Sequence, residues 1–282
     1  MVSDGYTIRS MRRDEIDMAI EWAAAEGWNP GLHDAAPFHA ADPEGFLVGE
    51  LDGEPVATIS AIRYGSGFGF LGFYIVSPAF RGKGYGLRIW EAALARLAGR
   101  NIGLDGVVEQ QDNYRKSGFS LAYRNVRYAG KAGNADKSAG VIDLAEVPFA
   151  VVADYDAAFF PDDRRGFLKL WLSQPDIHAY GVMHEGKLAG FGVVRPCRSG
   201  YKIGPLFADD AGLAEDLFQA LQAGLPASAS IYLDVPEVNG DAVALARRHG
   251  MQVVFETARM YTGEFPDLPL ERLFGVTSFE LG

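Results

Sequence analysis

A chain of 282 residues, almost half of them apolar, exceeds one average domain and can bury about two packed cores. The net charge of −11 argues against a nucleic-acid partner, which requires a basic face, and modestly favours a cationic small molecule. One cysteine, Cys197, rules out an internal disulfide or a cysteine-rich metal site; with no signal-peptide layout after Met1 and no apolar run of spanning length, a cytoplasmic protein without membrane contact is expected.

The first strand is Tyr6-Thr7-Ile8-Arg9, followed by a helix with Ile16, Ile20 and Ala23 on one face, stopped by Gly27. Trp28 to Asp34 reads as a loop on its Asn-Pro-Gly signals, and Asp34 is placed to cap a short helix carrying Ala35 and Phe38. Phe46 to Ala57 is a hairpin around Asp52-Gly53, and Thr58 to Tyr64 is the next strand. After a turn at Gly65-Ser66-Gly67, the apolar run Phe70 to Val76 reads as a buried strand, ended by Pro78. Glycines then alternate at 82, 84 and 86, and apolar residues recur at 87, 90, 94 and 97, the spacing of one helical face, until Gly99.

A strand, a glycine loop and a helix N-terminus in succession make an anion site. Backbone N–H groups can converge where no Cβ intervenes, the helix dipole adds partial positive charge, and Arg81 and Lys83 add two full charges. The spacing Gly-x-Gly-x-Gly is not the dinucleotide pattern, and no Ser or Thr stands in the run to Tyr85, as a Walker loop needs. With Val76-Ser77-Pro78 ahead of it, and Arg81, Gly84 and Gly86 in the order Arg-x-x-Gly-x-Gly, the stretch resembles the signature of the GCN5-related N-acetyltransferase (GNAT) superfamily. That resemblance implies acetyl-CoA as cosubstrate, with its pyrophosphate on Arg81, Gly82, Lys83, Gly84, Tyr85 and Gly86. It further implies that the acetyl-pantetheine arm lies along Tyr74, Ile75 and Val76, beside a bulge that frees an amide to polarise the thioester oxygen.

The segment Asn113-Tyr114-Arg115-Lys116-Ser117-Gly118-Phe119 is similar to the one whose tyrosine protonates the coenzyme A sulfur in that family, which implies Tyr114 as general acid; packing under the sheet is its structural alternative. Asn113 replaces the family's usual apolar residue, and Val107 stands where the family has an Asn, leaving the cofactor contacts of that segment open. Residues 69–76 carry no Glu or His, so the base stays open between Glu109, a water relay and an acceptor that arrives deprotonated. Asp105 recurs as Asp234 in the second half and reads as structural. By the same resemblance the acceptor meets the loop Glu26 to Asp34, making Trp28, Asn29, His33 and Asp34 the substrate-binding candidates, although Trp28 serves equally well as a loop anchor. The other histidines, 39, 178, 184 and 249, lack ligand spacing, so no metal is expected.

Beyond residues 129–140, which lack large apolar side chains and read as a linker, the plan returns. Val182 to Gly190 repeats the hairpin, Ile231 to Asp234 repeats Ile102 to Asp105, Gly250-Met251 echoes Gly118-Phe119, and Arg259-Met260-Tyr261 echoes Val126-Arg127-Tyr128. Gly53 and Gly118 lie 65 residues apart, Gly186 and Gly250 lie 64 apart, and the near-constant offset marks a tandem duplication. The second counterpart of the glycine loop, Phe207 to Leu213, has no arginine and puts Asp209 and Asp210 where a pyrophosphate would sit; Ala246 stands in the place of Tyr114.

The expected fold is α/β: two GNAT-like modules, each a mixed, mostly antiparallel twisted sheet flanked by helices. Residues 1–130 form a catalytic domain binding acetyl-CoA, 131–140 a linker, and 141–282 a degenerate GNAT-like domain. The expected activity is direct transfer of the acetyl group of acetyl-CoA to a primary amine of a small molecule, by a monomer or homodimer. An acyl-CoA-binding regulatory module without turnover, and a transferase of another acyl group, are the alternatives.

Overall fold

The computed structural model describes residues 5–133, 138 and 140–282. In the first half, β1 (Tyr6–Ser10), α1 (Ile16–Ala25) and α2 (Ala35–Ala41) lead into the meander β2 (Phe46–Leu51), β3 (Glu54–Tyr64) and β4 (Phe68–Val76). Helix α3 (Tyr85–Arg96), strand β5 (Asn101–Val107), the short helix α4 (Gln111–Lys116) and the long strand β6 (Ser120–Lys131) complete it. The second half repeats the order with β7 (Val141–Asp143), α5 (Phe149–Asp156), α6 (Arg165–Trp171), β8 (His178–His184), β9 (Lys187–Pro196), β10 (Tyr201–Ala208), α7 (Ala211–Gln222), β11 (Ser230–Pro236), α8 (Gly240–Arg248) and β12 (Gln252–Tyr261), and adds β13 (Leu273–Gly275). Of the expected linker, Lys131 ends β6, and residues 134–137 and 139 lie outside the described residues. No helix among the described residues is long and apolar enough to cross a membrane.

All the strands join one sheet in the order β1-β2-β3-β4-β5-β12-β6-β11-β10-β9-β8-β7, with β13 added beside β10. Each half is mixed and mostly antiparallel: β4 runs parallel to β5 and β10 parallel to β11, while the other pairs are antiparallel. The last strands have changed places. β12, from the second half, pairs with β5, and β6, from the first half, pairs with β11.

Two buried ion pairs mark this exchange. Arg259 on β12 lies directly opposite Asp105 on β5 and holds its carboxylate at 2.6 Å, and Arg127 on β6 lies opposite Asp234 on β11 and grips it with two bonds of 2.7 and 2.8 Å. Arg259 is thus the counterpart of Arg127, one residue away from the alignment that matching Tyr261 to Tyr128 suggests. A one-residue slip in a strand reverses which face every side chain occupies, so the pairs fix the register.

The main core lies between the halves. Phe38 on α2 sits 6.5 Å from Phe167 and 6.1 Å from Trp171, both on α6, and all three rings are buried in one cluster with Phe73, Phe191 and Phe207. Smaller cores lie under α3 and under α7 and α8, and each takes in the exchanged strand: Ala258 and Met260 of β12 in the first, Val126 and Tyr128 of β6 in the second. The chain after β13 crosses between the halves: Val276 N donates to Asp234 O at 2.9 Å, and the Tyr64 hydroxyl of the first half donates to Leu281 O at 3.1 Å. Replacing Arg259 by Met should leave the fully buried Asp105 carboxylate without its cation and cost about 3–5 kcal/mol, read as a lowered urea midpoint; an unchanged midpoint would show that the exchange does not depend on this pair.

Candidate functional site

A cleft of about 610 Å³ opens in the first half where β4 and β5 part. They are hydrogen-bonded only from Phe68–Leu71 to Asn101–Leu104, yet β4 runs on to Val76 and β5 to Val107. The parting begins at a bulge: the β3–β4 register shifts between Thr58 and Ser60, and Phe73 takes a φ of 48°, a region that non-glycine residues seldom occupy. The Thr58 hydroxyl donates to Phe73 O at 2.9 Å and holds the kink. From Gly72 to Val76 the edge of β4 turned toward β5 therefore has no strand partner, leaving main-chain groups open to the cleft.

One end of the cleft is the glycine loop. Gly84 caps α3 with a φ of 88° and brings no side chain to cap it, and among the described residues no side chain bonds the amides of the first turn, so the helix presents N–H donors and its positive pole. Arg81 lines the same end, its Nε donating to Val76 O at 2.9 Å and its other arm paired with Glu26. Gly82 and Gly86 line it too. Lys83 and Tyr85 do not: the Lys83 ammonium lies 5.2 Å over the Phe80 ring, and the Tyr85 ring packs 4.9 Å from that of Tyr6.

The middle of the cleft carries Tyr74, Trp90 and Tyr114, with Trp90 5.3 Å from the first ring and 5.6 Å from the second. The Tyr114 hydroxyl has no hydrogen-bond partner among the described residues, and burial, reinforced by the nearby Tyr74, holds its pKa far above the usual phenol value. It therefore stands as a neutral O–H at physiological pH, able to donate. Glu109 is exposed and lies off the cleft.

The other end is built largely by residues from outside the first half's local motifs: Trp28, Arg127, Phe255, Phe279 and Glu280. Arg127 stacks 4.8 Å from the Phe279 ring and donates to Trp28 O at 2.8 Å, and Lys202 Nζ donates to the same carbonyl at 3.2 Å. Behind this wall Asp34 is paired with Arg195 at 2.9 Å, both side chains 1% exposed. Burial and the repulsion of Arg127 bring the Lys202 pKa down to about 8, with Glu280 4.0 Å away opposing the shift.

Of the four substrate-binding candidates on the acceptor loop, Trp28 alone lines the cleft; Glu26, at the start of that loop, lines it too. Asp34 is a correction: it neither caps α2 nor faces the cleft, because its carboxylate accepts the Gly31 amide at 2.8 Å and neutralises Arg195. Asn29 is another, since its amide donates to Cys197 Sγ and Ser199 O, docking the loop on the second half; His33 is partly buried and also off the cleft. Sequence reasoning missed Arg127, Phe255, Phe279 and Glu280. No local motif marks them, and only the repeat position of Arg127 opposite Asp234 carried a signal.

The equivalent place in the second half is closed twice over. The Asp210 carboxylate caps α7, accepting from Gly212 N at 2.8 Å and Leu213 N at 2.9 Å, and so occupies the amides an anion would need. Where β10 and β11 part beyond Ile203 and Leu233, β13 fills the gap, pairing with Leu206 and Phe207. Asp209 takes the Tyr155 hydroxyl at 2.7 Å and an ion pair with Arg272.

Lys202 makes stability depend on pH with a definite sign. It is protonated in the unfolded chain up to its ordinary 10.5 but in the folded protein only up to about 8, so its burial costs stability below pH 8 and ceases to above 10.5. Across that window the wild type should gain about 3 kcal/mol relative to Lys202→Met, measured by urea unfolding; parallel stability curves would show that Lys202 titrates normally.

The acetyltransferase (GNAT) family profile matches residues 10–119, and an acetyltransferase (GNAT) domain profile matches residues 152–275. The holothin acyltransferase of Pseudoalteromonas sp. is 32% identical over 278 residues, covering 98% of this chain and 95% of that protein. Among solved structures, a Pyrococcus horikoshii acetyltransferase candidate superposes with a TM-score of 0.84 at 25% identity, over 100% of this chain and 98% of that one. A tandem GNAT protein from the clavulanic acid biosynthesis pathway shares the fold at a TM-score of 0.63 and 15% identity, over 92% of this chain and 99% of its own. With both halves matched and a relative of this identity along nearly its whole length, the chain belongs to the GNAT acetyltransferase family, as a tandem-GNAT acyltransferase.

Proposed function

We propose that the first half transfers the acetyl group of acetyl-CoA directly to a primary amine of a small molecule, and that the second half is a degenerate GNAT copy that binds no cofactor. The observation that carries the reading is one continuous cleft joining an uncapped helix N-terminus to the free edge of β4. The donor set fits the ligand: amides of α3 and the Arg81 guanidinium suit a pyrophosphate, and the unpaired β4 edge from Gly72 to Val76 suits the amide-bearing pantetheine arm. When bound, acetyl-CoA supplies the activated acetyl thioester.

The chain's own residues would then do three things. Main-chain N–H groups beside the Phe73 bulge polarise the thioester oxygen. Trp90 and Tyr74 shield the reacting end from water. Tyr114, a neutral phenol in the middle of the cleft beside Trp90, donates its phenolic proton to the departing sulfur. The name of the 32% identical relative, holothin acyltransferase, supports a small-molecule acceptor and leaves acyl length to be measured across an acyl-CoA series.

Gly84→Asp should abolish acetyl-CoA binding, because it puts a side chain at a φ of 88° and a negative charge at the helix pole. Calorimetry should find one acetyl-CoA per wild-type chain, unaffected by Gly212→Asp; two equivalent sites would contradict the closure of the second cleft. Tyr114→Phe should leave acetyl-CoA affinity nearly unchanged and lower kcat about 10²-fold, in a coenzyme A-release assay with a panel of amines. Wild-type turnover across the pH range would reduce Tyr114 to a packing residue.

A further inference from the structure

Resting on the acyltransferase reading above, we propose that Glu280, carried on the segment after β13, is the general base that takes a proton from the acceptor's ammonium group. The second half would then give up its own cleft and, through its last residues, complete the chemistry of the first.

Position comes first. The Glu280 main chain lies against β4 at the bulge: a Cβ on Gly72 would come within 2.0 Å of the Glu280 carbonyl oxygen, so only glycine admits the segment there. Gly72 is four residues from Val76, which adjoins the glycine loop, so Glu280 stands roughly 13 Å along the strand from the pyrophosphate end. That is the end of the cleft at which an acceptor would approach an acyl group laid along β4.

The competing carboxylates are already engaged. Of those lining the cleft, Glu26 is paired with Arg81 at the loop end, and Asp105 is held by Arg259 and Asn125. Glu280 is 4% exposed, and its Oε2 has no hydrogen-bond partner among the described residues. A buried carboxylate oxygen without a donor is costly, and an incoming N–H group, direct or through one water, satisfies it.

Charge balance points the same way. The ionisable groups around Glu280 are Lys202 on β10, Arg127 on β6, Arg195 on β9, Asp234 on β11, Asp34 ahead of α2, and the Cys197 thiol after β9. Arg127 is neutralised by Asp234 and Arg195 by Asp34, leaving one positive charge, on Lys202, for Glu280 to balance. Trp28, Phe255 and Phe279 line the same end with aromatic surface that suits an ammonium-bearing acceptor.

The protons balance as follows. The ammonium gives one proton to the Glu280 carboxylate, the freed amine attacks the thioester carbon, the C–N bond forms and the C–S bond breaks. The second N–H proton compensates the one that Tyr114 gives to sulfur, so the products are the amide, coenzyme A thiol and one proton released from Glu280 to solvent.

The test compares two acceptors with acetyl-CoA: benzylamine, which is protonated at neutral pH and needs a base, and hydroxylamine, which is already largely neutral. Glu280→Gln should lower kcat with benzylamine about 10²-fold and remove the acidic limb of its pH profile, while sparing hydroxylamine and the acetyl-CoA Kd. Equal losses with both acceptors, or no loss with either, would overturn the role of Glu280. Glu280→Asp keeps a carboxylate and should retain the acidic limb at reduced kcat; a variant that melts like the wild type yet lacks that limb would also overturn it. A wild type that binds no acetyl-CoA, or that binds it and acetylates neither amine, would instead overturn the proposed acetyl transfer to a simple primary amine, and the base with it.

Discussion

Two buried Asp–Arg pairs, one on each side of the sheet centre, hold the molecule together in a way that neither half achieves alone. Asp105 and Asp234 sit on equivalent strands, and each is neutralised by an arginine from the other half's last strand. Taking a carboxylate out of water is costly, and the cost is met only where a guanidinium lies directly opposite. β12 must therefore lie beside β5, and β6 beside β11. The two GNAT copies consequently share one sheet, and residues from the second copy reach the cleft of the first.

The same fold meets opposite ends in the two copies for simple electrostatic reasons. At α3 the chain offers glycine and no capping side chain, so the amides of the first turn are left for a ligand. At α7 the Asp210 carboxylate satisfies the corresponding amides itself. Parting strands leave unpaired main-chain groups that need partners. In the second half β13 supplies them, whereas in the first half the edge of β4 stays open. One copy has been closed by its own chain, and the segment that continues from that closure forms a wall of the other copy's cleft.

That wall is unusual in its density of charge. Arg127, Arg195, Lys202, Asp34, Asp234 and Glu280 are all buried, and the two Asp–Arg pairs within the group are neutral in themselves. Lys202 and Glu280, 4.0 Å apart, are the less tightly bound members, without the paired hydrogen bonds that join each Asp to its Arg. Asp34 and Asn29, from the loop expected to meet the acceptor, are spent on this docking surface, while Glu26 and Trp28 of that loop line the cleft.

Much of this was legible in the sequence because it is written in contiguous residues. A buried strand, Pro78, alternating glycines and a helical face follow each other without interruption, which is why the sequence alone leads to the expectation of an anion site there. The duplication was legible because two copies of one short pattern recur at nearly constant spacing. The exchange of β6 and β12, the filling of the second cleft by β13 and the arrival of Glu280 beside Gly72 were decided only by the tertiary structure. Each depends on which strand pairs with which and in what register, and antiparallel neighbours with similar patterns are interchangeable until buried charges and side-chain packing choose between them. Glu280 shows the difference most plainly: in the sequence it is one carboxylate among apolar neighbours, and its place in a cleft formed some two hundred residues earlier exists only once the sheet has closed around it.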